Sequence, residues 1–265
     1  PDITNPWYPV LARGLQDALA ADGYHTFLCN TDSQEDQELE FLEALVDRRV
    51  EGIVLAAPRV PAGKACATIL RRGIALVVAG RVGDWPGADM IEADEVDAAA
   101  AATRHLLDRG HRRVAHIAGT PGMHVAADRQ RGYRRALDEA GVAHDPALAV
   151  PADFTRAGGA VAMRTLLKLP EPPTAVFAAN DLLAIGALDV IREHGLAVPG
   201  DLALVGFDDI DAAALMSPPL TTVVNPAYEW GRTAGRMLLD RMRGSVQEPG
   251  RRAVIPFRIV IRSSA

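Results

Sequence analysis

The sequence predicts an α/β protein built on parallel sheets and divided into two similar lobes. Three observations carry that expectation. Short apolar runs alternate with amphipathic stretches in a β-α-β-α beat, the signature of parallel strands joined by right-handed crossovers. The beat halts in a Gly- and Asp-rich stretch near residues 80–97 and then restarts over a similar length. The run Leu202 to Phe207, finally, lies between Pro199-Gly200 and the paired carboxylates Asp208 and Asp209. A buried parallel strand reads this way when it delivers polar side chains at its carboxyl end, where open α/β sheets bind ligands.

From Pro9 onward, Leu11, Leu15, Ala18 and Leu19 recur at helical spacing, with Gly23 as the cap. Tyr24 to Cys29 reads as a strand. Ser33 and Asp36 have capping-box spacing ahead of Leu39, Leu42 and Val46, which starts a second helix there. A strand over Gly52 to Ala57 follows, then a helix over Lys64 to Arg72 stopped by Gly73, and a strand over Ile74 to Ala79. Gly80 to Asp89 reads as a loop, and Glu95 to Arg109 as an alanine-rich helix capped by Gly110. The second run has a strand over Arg113 to Ala118 and helices over Ala126 to Ala140 and Thr155 to Leu169. A strand over Thr174 to Ala179 and a helix over Leu182 to His194 lead into Leu202 to Phe207. A short strand, Leu220 to Val224, closes on Asn225-Pro226, so two neighbouring strands end on polar tips. Pro226 at a first helical position opens a helix to about Met242, and Ala253 to Arg262 reads as a last strand.

Composition narrows the function classes. With 265 residues, 49% of them hydrophobic and 23% charged, the chain buries an ordinary globular core. A net charge of -6 argues against this chain gripping a phosphate backbone by itself. Two cysteines, Cys29 and Cys66, are too few for a disulfide framework and fit a reducing compartment, hence a cytoplasmic protein. No apolar run reaches the roughly 18 residues of a membrane span. The opening PDITNPWYPV lacks the features of a secretory signal and has no initiator Met, as expected of a trimmed fragment. No phosphate loop, dinucleotide fingerprint, nucleophile elbow or zinc spacing occurs, so no cofactor, metal or catalytic residue is expected. An acid-base role for Asp208 with Asp209 is disfavoured, because adjacent strand residues point to opposite faces.

The segments PDITNP, RHLLDRGHRRVAHIAG, ADRQRGYRRAL, AVFAANDLLAIGAL and VPGDLALVGFDD followed by PPLTTV together resemble the lactose-repressor (LacI/GalR) family of bacterial transcription regulators. The resemblance covers essentially the whole chain in the family's order. It implies the fold of periplasmic sugar-binding proteins: two Rossmann-like lobes joined by three crossovers, with the effector in the cleft. The first lobe is expected over residues 1–95 plus about 226–250, and the second over 96–225 plus about 251–265. It also implies a DNA-binding helix-turn-helix that is not within this chain, and a first core strand just before PDITNP. The implied function is the effector-binding and dimerisation core of a repressor. Its partners are a sugar or polyol, with a purine or nucleoside as the competitor, a second copy of the chain, and operator DNA through the absent domain. The alternative is a solute-binding protein of a transporter, with the same fold.

The effector contacts that the resemblance implies are Trp7, Tyr8, Arg129, Phe154, Asn180, Asp208 and Asn225. By the residues alone, Trp7 and Tyr8 either cover a ligand or staple the next helix. Arg129 has Arg131, Arg134 and Arg135 as equal rivals, and Phe154 reads as packing. Asn180 and Asp208 stand at carboxyl ends of expected strands. Asn225 either faces the ligand or caps the following helix. Asp181 and Asp209 read as helix-start or loop-bracing carboxylates. The chain departs from the family at Gly80-Arg81, where an Asp often precedes the Arg, which removes a carboxylate suited to a sugar hydroxyl.

Overall fold

The computed structural model describes residues 1–80, 83–246 and 250–265. Arg81 lies outside the described residues. The chain forms two compact units, Pro1–Ala93 with Pro226–Pro256 and Asp94–Asn225 with Phe257–Ala265. It therefore passes from one unit to the other after residues 93, 225 and 256.

The first unit contains helices α1 (Trp7–Ala20), α2 (Glu35–Asp47), α3 (Ala62–Ile69) and α9 (Ala227–Met242), and strands β1 (Gly52–Ala56), β2 (Ala75–Ala79), β3 (Asp89–Glu92) and β9 (Arg252–Val254). The strands form one sheet in the order β1-β2-β3-β9, parallel throughout. Strand alternation divides its side chains between two cores. Val77, Ala79 and Ile91 pack with α1 and α9 through Leu11, Leu15, Trp230 and Leu238, whereas Leu76, Val78 and Met90 pack with Leu42, Val46 and Ile69 from α2 and α3. Each such fully buried aliphatic side chain contributes about 1.5–3 kcal/mol.

The second unit contains α4 (Glu95–Asp108), β4 (Val114–Ala118), α5 (His124–Glu139), β5 (Ala149–Pro151), α6 (Arg156–Leu167), β6 (Ala175–Ala178), α7 (Asp181–Glu193), β7 (Ala203–Asp208), α8 (Asp211–Leu215), β8 (Thr221–Val224) and β10 (Arg258–Val260). Its sheet runs β10-β8-β7-β6-β4-β5, parallel except for β10, which pairs antiparallel with β8. Ile117, Val176, Ala178 and Leu204 face α6 and α7, while Val114, Phe177, Val205 and Phe207 face α4 and α5. His116 lies on the second of these faces, stacked on Tyr133 and Phe177 at 5.1 and 4.8 Å between ring centroids. Burial pushes its pKa down to about 4. The ring is neutral at pH 7, and because the Phe177 carbonyl 3.0 Å away only accepts, Nδ1 carries the proton.

The elements differ from the sequence-based expectation in several places, the unforeseen short helix α8 among them. Tyr24 to Cys29 is not a strand: it pairs with no strand among the described residues, and a ladder is what defines one. A cavity of about 130 Å³ lined by Leu11, Leu42, Ile53 and Leu55 takes in Thr26 and Leu28 of this segment. The capping box does not form, because Ser33 takes a left-handed φ of 56° and Gln34 becomes the N-cap. Asp89 is not in a loop: it opens β3, fully buried, and binds Arg241 at 2.6 Å and Arg251 at 2.7 Å. Short β5, only three residues long, was not foreseen. Pro226 is the N-cap of α9 rather than its first residue. The expected last strand is two, β9 pairing β3 and β10 pairing β8, with the unit boundary between them.

Close helix approach depends on particular glycines. A Cβ at Gly132 of α5 would overlap the carbonyl oxygen of Val96 in α4. Gly132→Ala is therefore expected to cost about 1–3 kcal/mol by forcing the two helices apart. Urea unfolding checks this, with a lower midpoint at unchanged slope as the expected outcome.

Candidate functional site

Strands β4, β6, β7 and β8 run parallel, so their carboxyl ends lie along one edge of the second unit's sheet. That edge carries Gly119, Asn180, Asp208 and Asn225, each within two residues of a strand end. Helix α5 adds Arg129. Among its buried residues, Arg129, Gly132, Tyr133, Ala136 and Leu137 recur at helical spacing on the face turned to the sheet. Arg131 and Arg134 fall outside this phase and are exposed. Arg131 instead pairs with Asp128 at 2.7 Å, and Arg135, half-buried, with Asp97 at 2.6 Å.

Arg129 is 4% exposed and surrounded by acceptors. Its Nε donates to Glu95 Oε2 at 2.8 Å, Nη1 donates to the Ala179 carbonyl, and Nη2 lies 3.7 Å from Asp208 Oδ1. Its guanidinium carbon sits 3.7 Å above the centroid of the Phe207 ring, a cation-π contact. Asp208 in turn accepts from Asn225 Nδ2 at 3.3 Å. Removal from water pushes the Asp208 carboxyl up to about 6, opposed by Arg129 and Asn225 and reinforced by Glu95. Its backbone is held at φ 112°, a strained left-handed value at the end of β7.

Asn180 is buried, and its Oδ1 accepts from Leu183 N at 2.9 Å as the N-cap of α7. Its Nδ2 reaches the Phe154 carbonyl at 3.5 Å. The Phe154 ring packs directly over Gly119, where any Cβ would overlap it. Asn225 does not cap α9, whose N-cap is Pro226; its amide is turned to Asp208 instead. Asp181 and Asp209 brace the edge. Asp181 accepts from Ile210 N at 2.9 Å and from Thr222 Oγ1 at 2.6 Å, and burial raises its pKa well above the carboxylate range. Asp209 pairs with Arg262 at 2.7 Å.

Trp7 and Tyr8 belong to the first unit, at the start of α1. Trp7 stands edge-on to Tyr8 at 5.1 Å and to Trp230 of α9 at 5.8 Å, partly buried on the α1–α9 core. Five of the seven expected residues thus lie along this edge of the second unit: Asn180 reaches Phe154, Arg129 binds the carbonyl of Ala179 next to Asn180, and Asp208 faces both Arg129 and Asn225.

Glu95 was not among the expected residues. In the sequence it is an acid in a helix's first turn, a position that the helix dipole alone explains. Its contact with Arg129 depends on α4 packing against α5. Among the described residues, no group of His, Cys, Asp and Glu has the arrangement of a metal site, and no helix is long and apolar enough to cross a membrane.

Residues 103–265 match the periplasmic binding protein-like domain family. Over 264 residues the chain is 36% identical to the HTH-type transcriptional repressor CytR of Escherichia coli (strain K12), a match covering 100% of this chain and 77% of that protein. A LacI family transcriptional regulator from Enterococcus faecium, solved with bound ribose, superposes with a TM-score of 0.92 at 31% identity, covering 100% of this chain and 96% of that one. The transcriptional regulator CelR in complex with cellobiose superposes with a TM-score of 0.89 at 33% identity, covering 98% and 79%. These relatives are transcriptional regulators rather than enzymes.

Two stability measurements follow from the geometry. The folded Asp208 pKa of about 6 lies above its ordinary 3.8, so the folded protein binds this proton more tightly than the unfolded chain. Ionisation therefore weakens the fold as pH rises through this window, and the penalty is complete above it. Asp208→Asn is expected to gain up to about 3 kcal/mol at pH 8 and nothing below pH ~4, read from chemical unfolding across pH. Arg129→Met is expected to lose about 3–5 kcal/mol at pH 8, because Glu95 is left buried without its cation.

Proposed function

The chain belongs to the LacI family of transcriptional regulators, and from that premise we propose that it binds a sugar through Arg129, Asp208, Asn180, Asn225 and Phe154 of the second unit. It is the effector-binding core of such a regulator. The observation that carries the site assignment is the convergence of Arg129, Asp208 and Asn225 in one cluster, the first two an ion pair and the last two hydrogen-bonded, at the carboxyl edge of a parallel sheet. A sugar presents adjacent hydroxyls that both donate and accept. Asp208 supplies acceptors, Arg129 donors, and Asn180 and Asn225 both, while Phe154 suits its apolar C–H faces. Relatives crystallised with ribose and with cellobiose support the sugar class.

The two units are proposed to be the lobes of this core, acting as a homodimer in the cytoplasm. Operator DNA is assigned to a helix-turn-helix outside these 265 residues, since a net charge of -6 suits no backbone grip here. The effector acts by binding one conformation of the core better than another, and only that difference in affinity shifts the equilibrium.

A thermal-shift screen against sugars, polyols and nucleosides tests the reading. A ligand at about 100 times its Kd adds roughly 2.7 kcal/mol, which raises Tm by about 5–10 °C for a protein of this size. A sugar is expected to do so, with the shift lost in Arg129→Ala and Asp208→Ala. An equal shift in wild type and both variants would remove these residues from the site, and a shift with nucleosides alone would remove the sugar.

A further inference from the structure

The charge of Arg129 is already matched inside the protein. Glu95 Oε2 holds Nε at 2.8 Å, and Asp208 Oδ1 lies 3.7 Å from Nη2. All three side chains are at most 7% exposed, so water screens them little. The other charged groups nearby do not reverse the balance. Asp181, behind Asp208, is a further acid and accepts from Thr222 and Ile210. Asp128, beside Arg129 on α5, is matched by Arg131. One buried cation thus faces two carboxylates, and the cluster carries an excess of negative charge when both are ionised.

We infer that Glu95 is a specificity-determining residue of this site: by occupying the Nε edge of Arg129 it cancels the arginine's attraction for anions, so that the site takes uncharged polyhydroxyl ligands and rejects their phosphorylated or carboxylated counterparts. An arginine in a ligand site is ordinarily the natural seat for a phosphate or carboxylate, through a planar fork of donors. Here Glu95 takes one prong of that fork. A ligand anion brought to Arg129 meets Glu95 and Asp208 at short range, a juxtaposition of like charges that disfavours binding in a desolvated interface. A hydroxyl group has no such conflict, since it carries no charge and can both accept from a guanidinium N–H and donate to Asp208. Glu95 acts through Arg129, and so sets the class of ligand without contacting it.

The inference rests on the proposal that Arg129 and Asp208 meet the effector, and the experiment separates the two. Calorimetric titration of the full 265-residue chain at pH 8 uses matched pairs: ribose and ribose 5-phosphate, glucose with glucose 6-phosphate and gluconate, and nucleosides with their monophosphates. Wild type is expected to bind one neutral ligand more than about ten-fold tighter than its anionic partner. Glu95→Gln, which keeps the shape and an acceptor oxygen, is expected to narrow that ratio by about ten-fold, chiefly by tightening the anion, while Glu95→Asp keeps it. A ratio unchanged in Glu95→Gln, or a wild-type preference for the anion, overturns the role of Glu95. The wild-type comparison holds even if the variants unfold, which circular dichroism checks. A neutral nucleoside bound over its monophosphate, with no sugar bound, overturns the sugar reading and supports the charge rule. Binding of no member of any pair overturns both.

Discussion

A guanidinium that is almost wholly removed from water has to be surrounded by acceptors, and this requirement on Arg129 organises the functional edge of the second unit. Glu95, the Ala179 carbonyl and Asp208 come from a helix start, a loop after one strand and the end of another. They meet only when α4, α5, β6 and β7 are all in place. The same need extends outward. Asp208 takes a hydrogen bond from Asn225, and Asp181 takes its bonds from Thr222 and Ile210 so that a second buried carboxyl does not go without donors.

The cluster also touches two of the segments by which the chain changes units. Glu95 follows the passage after residue 93 by one position, and Asn225 is the last residue before the passage at 226. Both are held by residues proposed to meet the effector, Glu95 by Arg129 and Asn225 by Asp208. A ligand that rearranges the hydrogen bonds of Arg129 and Asp208 would therefore act on the anchors of both connections. This is a physical route from occupancy to the connecting segments, made of direct contacts.

The site costs stability that the scaffold supplies. Asp208 is kept at a left-handed φ and with a carboxyl that burial pushes up to about 6. Strain and desolvation of this kind persist where the surroundings over-determine them. Here the surroundings are two cores on opposite faces of a parallel sheet, filled by Ile117, Phe177, Leu183 and Phe207, each at most 2% exposed. His116 is stacked within one of them and stays neutral.

The β-α beat, the glycine stops and the apolar runs were enough to place most helices and most strands of both units, because periodicity and capping are local properties of the chain. Asn180 and Asp208 were legible for the same reason, as polar residues at the ends of apolar runs. Arg129 was not legible from the residues, which offered Arg131, Arg134 and Arg135 as equal rivals; the resemblance singled it out, and only the packed helix shows it to be buried where Arg131 and Arg134 are exposed. What the sequence alone did not reveal depends on partners remote in the chain. Tyr24 to Cys29 has strand composition, yet a strand requires a neighbour. Asp89 looks like a loop acid until Arg241 and Arg251, more than 150 residues away, close around it. Glu95 looks like any acid in a helix's first turn until the packing of α4 on α5 sets it against Arg129, 34 residues on. The sequence by itself determined most of the helices and strands and which polar residues stand at strand ends, while only the tertiary structure decided which segments pair and which charges meet, because pairing and burial depend on distances in space that no local pattern records.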